Sequence, residues 1–181
     1  MTKKHEELLA ELYSLAPPQD TAFYKDMTAF LTGLGYMPKR EIEPKFDLSF
    51  THSNGAAIAK IGFYKNKFQL RIKFFACANV PPKYIQILKD EAEAENKMNR
   101  FARRGAVPVP SPPPGVFTKK CLSGDCKTCG RIRYYVQSDN GNMLGKCSGE
   151  PVPVPDISGI DRNELKRLVT EQHGYFMVLL K

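Results

Sequence analysis

The stretch FDLSFTHSNGAAIAKIGFYKNKFQLRIKF, residues 46–74, decides the fold class. Phe46, Leu48 and Phe50 alternate with Asp47, Ser49 and Thr51, the period of two that lets a β-strand turn one face to a core and the other to water. Ser53-Asn54-Gly55 follows as a hairpin signal, because Asn and Gly accept the left-handed backbone of a tight turn. A second strand is expected over about residues 56–64. Lys65-Asn66-Lys67 then turns the chain into a third, in which Phe68, Leu70, Ile72 and Phe74 alternate with Gln69, Arg71 and Lys73. Three consecutive strands joined by short turns make an antiparallel meander.

Toward the N-terminus the period changes to 3.6. Leu8, Leu9, Leu12 and Leu15 recur at helical spacing up to Pro17-Pro18, which cannot continue a helix. Asp20 or Thr21 caps a second helix with Phe23, Met27, Phe30, Leu31 and Leu34 on its apolar side, and Gly35 closes it. On the other side of the meander, Pro81-Pro82 opens a long helix expected from Tyr84 to Arg104, with Ile85, Leu88, Ala92, Glu95, Met98 and Ala102 along one stripe. Residues 105–115 carry five prolines in eleven positions and form an extended linker. A second proline-rich stretch, Pro151-Val-Pro-Val-Pro155, precedes a terminal segment that Asp161-Arg-Asn-Glu164 can cap. Leu165, Leu168, Val169, Phe176, Leu179 and Leu180 fit a helix there; the alternative is a helix ending near His173 followed by a strand over 175–180.

Between the proline-rich stretches stand four of the five cysteines: Cys121, Cys126, Cys129 and Cys147. In a chain whose N-terminus shows no apolar signal region, such crowding around a CxxC pair points to metal before disulfides. The loop Cys126-Lys-Thr-Cys129 can aim two thiolates at one point, and a hairpin expected from residues 131–137 and 142–146, turning at Asp139-Asn140-Gly141, returns Cys147 toward it. In outline this resembles a zinc ribbon, with a thiolate knuckle, a hairpin and a further ligand at its end; it departs in having a single last cysteine and an x4 spacing before the knuckle. The nine residues 121–129 also resemble the cluster loop of plant-type [2Fe–2S] ferredoxins. Zinc is the expected cofactor and a [2Fe–2S] cluster the alternative. Four cysteine ligands leave no open coordination position for water, so the zinc would be structural. Cys77 lies apart in an apolar run and is expected as a small buried residue.

Lys and Arg total 27 against 19 Asp and Glu, a net charge of +8 that favours an anionic ligand or nucleic acid as partner. Lys60, Arg71 and Lys73 would line the polar face of the meander, and Lys119, Lys120, Arg131 and Arg133 a second patch beside the cysteines. Catalysis has little to rest on. The histidines are His5, His52 and His173, and the sequence holds no HExxH, no GxSxG and no phosphate-cradling glycine loop, so no catalytic residue is assigned. No apolar run approaches the roughly 18 residues of a membrane span.

The expectation is an α+β domain in residues 1–104, a linker at 105–115, a four-cysteine, metal-bound hairpin at 116–150, and a terminal segment, 151–181, packing back on the first domain. The function expected of it is that of a non-catalytic cytoplasmic binding or accessory protein, with no membrane association. The rivals are a redox protein using the same cysteines and an enzyme built on the meander's face.

Overall fold

The computed structural model describes residues 1–42, 44–74, 77, 80–98, 117–120, 132–137, 143–147, 151–154 and 157–179. In chain order the elements are α1 (Lys3–Leu15), α2 (Thr21–Gly33), β1 (Met37–Arg40), β2 (Asp47–Thr51), β3 (Ala57–Tyr64), β4 (Lys67–Ile72), α3 (Pro82–Met98), β5 (Phe117–Lys120), β6 (Ile132–Gln137), β7 (Met143–Cys147), β8 (Val152–Pro153) and α4 (Arg162–Leu179). They fall into two compact units: residues 1–74 with 153–181, and residues 75–152. The fold class is α+β, as expected from the sequence, with four helices and a five-stranded antiparallel sheet in the order β1-β2-β3-β4-β8.

The meander is β2, β3 and β4. Leu48, Ile61 and Leu70 stand opposite one another across it, as do Phe50, Ala59 and Ile72, and all six are buried. With Leu12 of α1, Met27 and Leu31 of α2, and Leu165 and Leu168 of α4 they form the first unit's core. Each buried Leu, Ile, Met or Phe among them contributes on the order of 1.5–3 kcal/mol by leaving water. Lys65 and Asn66 both take positive φ, the two-residue turn of type I′ whose twist matches the strands it joins.

Two strands join the sheet that the sequence pattern did not announce. β1 is four residues long and contains Pro38; β8 lies within the proline-rich Pro151–Pro155. Both are edge strands, where a proline costs no ladder bond if its nitrogen faces outward. The alternation Pro-Val-Pro-Val achieves this in β8: the Val154 N–H donates to the Leu70 carbonyl at 2.8 Å, and Val152 and Val154 are both buried.

α4 runs unbroken through Gly174 to Leu179, so the alternative strand at 175–180 is not formed. Asp161 caps it, its carboxylate accepting from the Asn163 and Glu164 N–H groups at 2.9 and 3.4 Å. Lys166 reaches Asp26 of α2 at 2.7 Å.

In the second unit, β5, β6 and β7 form a three-stranded antiparallel sheet with β6 central, and α3 runs alongside β6 and β7. Tyr84, Leu88 and Ala92 make a buried stripe along α3 at intervals of four. The linker at 105–115 lies outside the described residues, as do 99–104. Among the described residues no helix is long and apolar enough to cross a membrane.

Candidate functional site

Three places carry the residues with chemical capacity. The first is the three-stranded sheet. Its register sets Arg133 opposite Cys147 and Gln137 opposite Met143, so β6 and β7 are the two strands of the expected hairpin, and Cys147 ends the returning one. Cys121, Cys126, Cys129 and Arg131 lie outside the described residues. Among the described residues no group of three or more His, Cys, Asp or Glu could hold a metal ion. On the far side of β6, Lys119 stands opposite Arg133 and Lys120 opposite Ile132. One row across all three strands therefore reads Lys119, Arg133, Cys147.

The second place is the polar face of the meander, where the expected anion-binding residues Lys60, Arg71 and Lys73 share a face with Asp47 and Ser49. β2 is buried on both faces from Asp47 to Phe50, so Asp47 and Ser49 are out of water. Arg71 donates to the Asp47 carboxylate with side-chain exposures of 8% and 4%, and its guanidinium lies 4.9 Å from the Tyr64 ring. Arg71 Nε is buried with no hydrogen-bond partner among the described residues. Lys60, at the edge of this pair, reaches Glu41 at 3.4 Å. Burial pushes the Asp47 carboxyl above its ordinary value; the hydrogen bond and charge of Arg71, and the charge of Lys60, pull it back only in part. Gly62 stands opposite Asp47, and a Cβ there would meet the Phe46 carbonyl at 2.4 Å and an Asp47 carboxylate oxygen at 2.8 Å. The glycine makes the room in which the pair sits.

The third place joins residues that no local spacing connects: Tyr36, His52 and His173. α2 ends in a Schellman motif, in which the Tyr36 N–H donates to the Leu31 carbonyl at 3.1 Å and the Gly35 N–H to the Thr32 carbonyl at 3.0 Å. Gly35 supplies the positive φ of 86° that this requires, and a Cβ on it would lie 3.0 Å from His52 Nε2. The cap thus sends Tyr36 into the core, fully buried, while leaving space for the imidazole at the β2–β3 turn. His173 comes in from α4. Its Nδ1 is hydrogen-bonded to the Tyr36 hydroxyl at 3.2 Å, and its ring centroid is 6.1 Å from that of His52. Burial pushes the Tyr36 hydroxyl up to about 12, so it stays protonated. Burial and the neighbouring His52 charge both lower the His173 imidazole.

A lowered imidazole means that the folded chain binds fewer protons than the unfolded one below the ordinary value of 6.5. The stabilisation from neutral His173 is complete above that pH and is lost as the pH falls toward the folded-state value, below which the loss levels off. Urea unfolding midpoints should therefore drop as the pH falls through 6.5, and His173→Gln should flatten the drop. An unchanged slope in the variant would show that other groups set it.

Nothing in the local spacing of the sequence brings His52 and His173 together. The only local clue was Gly35-Tyr36 directly after a helix; the partners are 16 and 137 residues away from Tyr36. Chemically, the cluster gathers two imidazoles and a phenol whose hydroxyl stays protonated against His173. The meander offers a neutralised ion pair, and the three-stranded sheet a cysteine in line with two cations. In comparisons with known proteins, no family model, no curated protein and no solved structure matches this chain.

Proposed function

We propose that the protein is a non-catalytic binding or accessory protein in which Cys121, Cys126, Cys129 and Cys147 hold a structural zinc. That zinc fixes a basic, zinc-ribbon-like hairpin for an anionic partner. The observation that carries the reading is the β6–β7 register, in which Cys147 ends the returning strand directly opposite Arg133. From there it stands 18 positions after Cys129 in sequence but only a hairpin's return away from the segment that follows the knuckle. Four thiolates neutralise a divalent ion with two negative charges to spare, and residues 118–147 supply six basic side chains against two acidic ones, a setting that keeps thiols ionised. A sheet of strands this short has little core of its own, and metal ligation supplies the missing folding energy. The neutralised, buried Asp47–Arg71 pair leaves the meander face less suited to capture an anion than the hairpin.

Elemental analysis of the purified protein tests the metal. One zinc per chain and a colourless solution are expected. Visible absorbance with iron and sulfide would replace zinc by a [2Fe–2S] cluster, and four freely reactive thiols with no metal would remove the proposal altogether.

A further inference from the structure

Within the first unit, and independently of the cysteines, α4 changes character at His173-Gly174. Before that point Leu165, Leu168, Val169 and Gln172 are buried, and Lys166 reaches Asp26 of α2 at 2.7 Å. Beyond it no described residue is fully buried: Tyr175, Phe176 and Met177 are half-buried and Val178 is 75% exposed. An interior glycine weakens a helix relative to alanine, because unwinding returns more backbone freedom to it. Packing does not demand this one, since a Cβ on Gly174 would meet no neighbouring atom within 4 Å. The last turns of α4 are therefore the part of the helix that unwinds at least cost.

His173 ties those turns down. Its ring meets that of Tyr36 edge to face at 5.6 Å, with Nδ1 3.2 Å from the hydroxyl. His52 completes a triangle, 5.3 Å from the Tyr36 ring and 6.1 Å from that of His173. Tyr36 is fully buried and held by the cap of α2, so it stays where it is when the helix end moves. Its hydroxyl keeps its proton and donates it to neutral His173, its one hydrogen-bond partner among the described residues. A protonated His173 carries hydrogen on both nitrogens and cannot accept. The buried hydroxyl then loses its acceptor, and a cation stands beside His52. From the sheet side His52 is the charge that reaches His173, and from the end of α2 comes the neutral Tyr36. On its own helix Glu171 is engaged by Arg167, and burial raises the Tyr175 hydroxyl. We infer that Tyr36, His52 and His173 form a pH-sensitive latch, which holds residues 173–178 in place at neutral pH and lets them unwind in mildly acid solution. Unwinding carries His173 into water, where it takes its proton, and leaves Leu165, Leu168 and Val169 packed.

The test is hydrogen exchange followed by mass spectrometry on the full-length chain, from about pH 7.5 down to about 5, with rates corrected for the intrinsic pH dependence of amide exchange. The closed latch binds fewer protons than the open one, so acid favours opening. Protection at residues 173–178 should fall as the pH drops below 6.5, by up to about tenfold per pH unit, the limit for one linked proton, while residues 166–170 keep theirs. His173→Gln removes the titrating group and should hold protection at 173–178 within about twofold across the range. His52→Gln removes the opposing charge but not the burial, and should leave a shallower fall. Gly174→Ala should raise protection of the same residues roughly two- to fivefold at every pH. Circular dichroism at neutral pH checks that each variant folds; if His173→Gln does not, the wild-type profile and His52→Gln decide. Protection at 173–178 that does not change with pH in the wild type would overturn the latch. So would the same fall in His173→Gln, or a fall shared equally by residues 166–170.

Discussion

Removing the metal with a strong chelator, or replacing Cys147 by Ser, is expected to abolish hydrogen-exchange protection in β6 and β7 while β2, β3 and β4 stay protected. The asymmetry follows from where the core lies. The first unit buries Leu12, Met27, Leu31, Leu48, Phe50, Ile61, Leu70 and Leu165 among its own elements. The three-stranded sheet has strands of four, six and five residues. One helix, α3, runs alongside β6 and β7, and three strands that short beside a single helix leave only a small core. A structural zinc contributes an apparent free energy on the order of 10–16 kcal/mol in small zinc domains at neutral pH, more than the whole stability of a typical domain. Its loss should therefore melt the hairpin rather than loosen it. Zinc readdition should restore protection to the wild type but not to Cys147→Ser. Full protection of residues 132–137 and 143–147 in metal-free protein would mean that the sheet stands without a metal.

The fold was legible where local pattern and tertiary role agree. The meander's two turns, the α2 cap at Gly35 and the capping residue Asp161 each declare themselves within four residues, because the conformation they need is a property of the backbone there. β1 and β8 were not legible. A four-residue strand is too short to show a period, and prolines argue against a strand until its place at an edge is known. The 131–137 and 142–146 hairpin was visible as two β-rich runs around Asp139-Asn140-Gly141, but β5, and with it the pairing of Lys119 rather than Lys120 with Arg133, needed the sheet. Among candidate site residues the gap has a different cause. The polar half of β2 looked solvated because a lone Asp in an alternating strand usually is; its partner Arg71 lies 24 residues on, and only the register brings the two together. Tyr36, His52 and His173 meet through three elements far apart in the chain, a coincidence that one sequence does not encode locally.

The Asp47–Arg71 pair gives the second large effect, and the two halves of the pair should not cost the same. Asp47→Ala leaves a guanidinium buried without its carboxylate, and Arg cannot shed its proton to escape. Glu41, whose charge also reaches Asp47, is already engaged with Lys60. A loss of about 3–5 kcal/mol is expected, the cost of an uncompensated buried charge. Arg71→Met leaves a carboxylate instead, and a carboxylate can take up a proton for about 1.4 kcal/mol per pH unit above its pKa. Asp47 already stands above its ordinary value of 3.8 through burial, and removing Arg71 raises it further, leaving Lys60 as the main compensating charge. The folded variant then binds more protons than its unfolded chain, so it gains stability relative to wild type as the pH falls. Its deficit should be smaller than that of Asp47→Ala at neutral pH and should shrink toward pH 5, while the deficit of Asp47→Ala stays. Asp47→Ala with Arg71→Met removes both charges and should recover much of the single losses, because a buried pair contributes little net stability once neither partner is stranded. Urea midpoints of the three variants at two pH values decide the matter. Equal and pH-independent losses for the two single variants, or additive losses in the double, would mean that the pair is open to solvent and that packing, not charge, sets the cost.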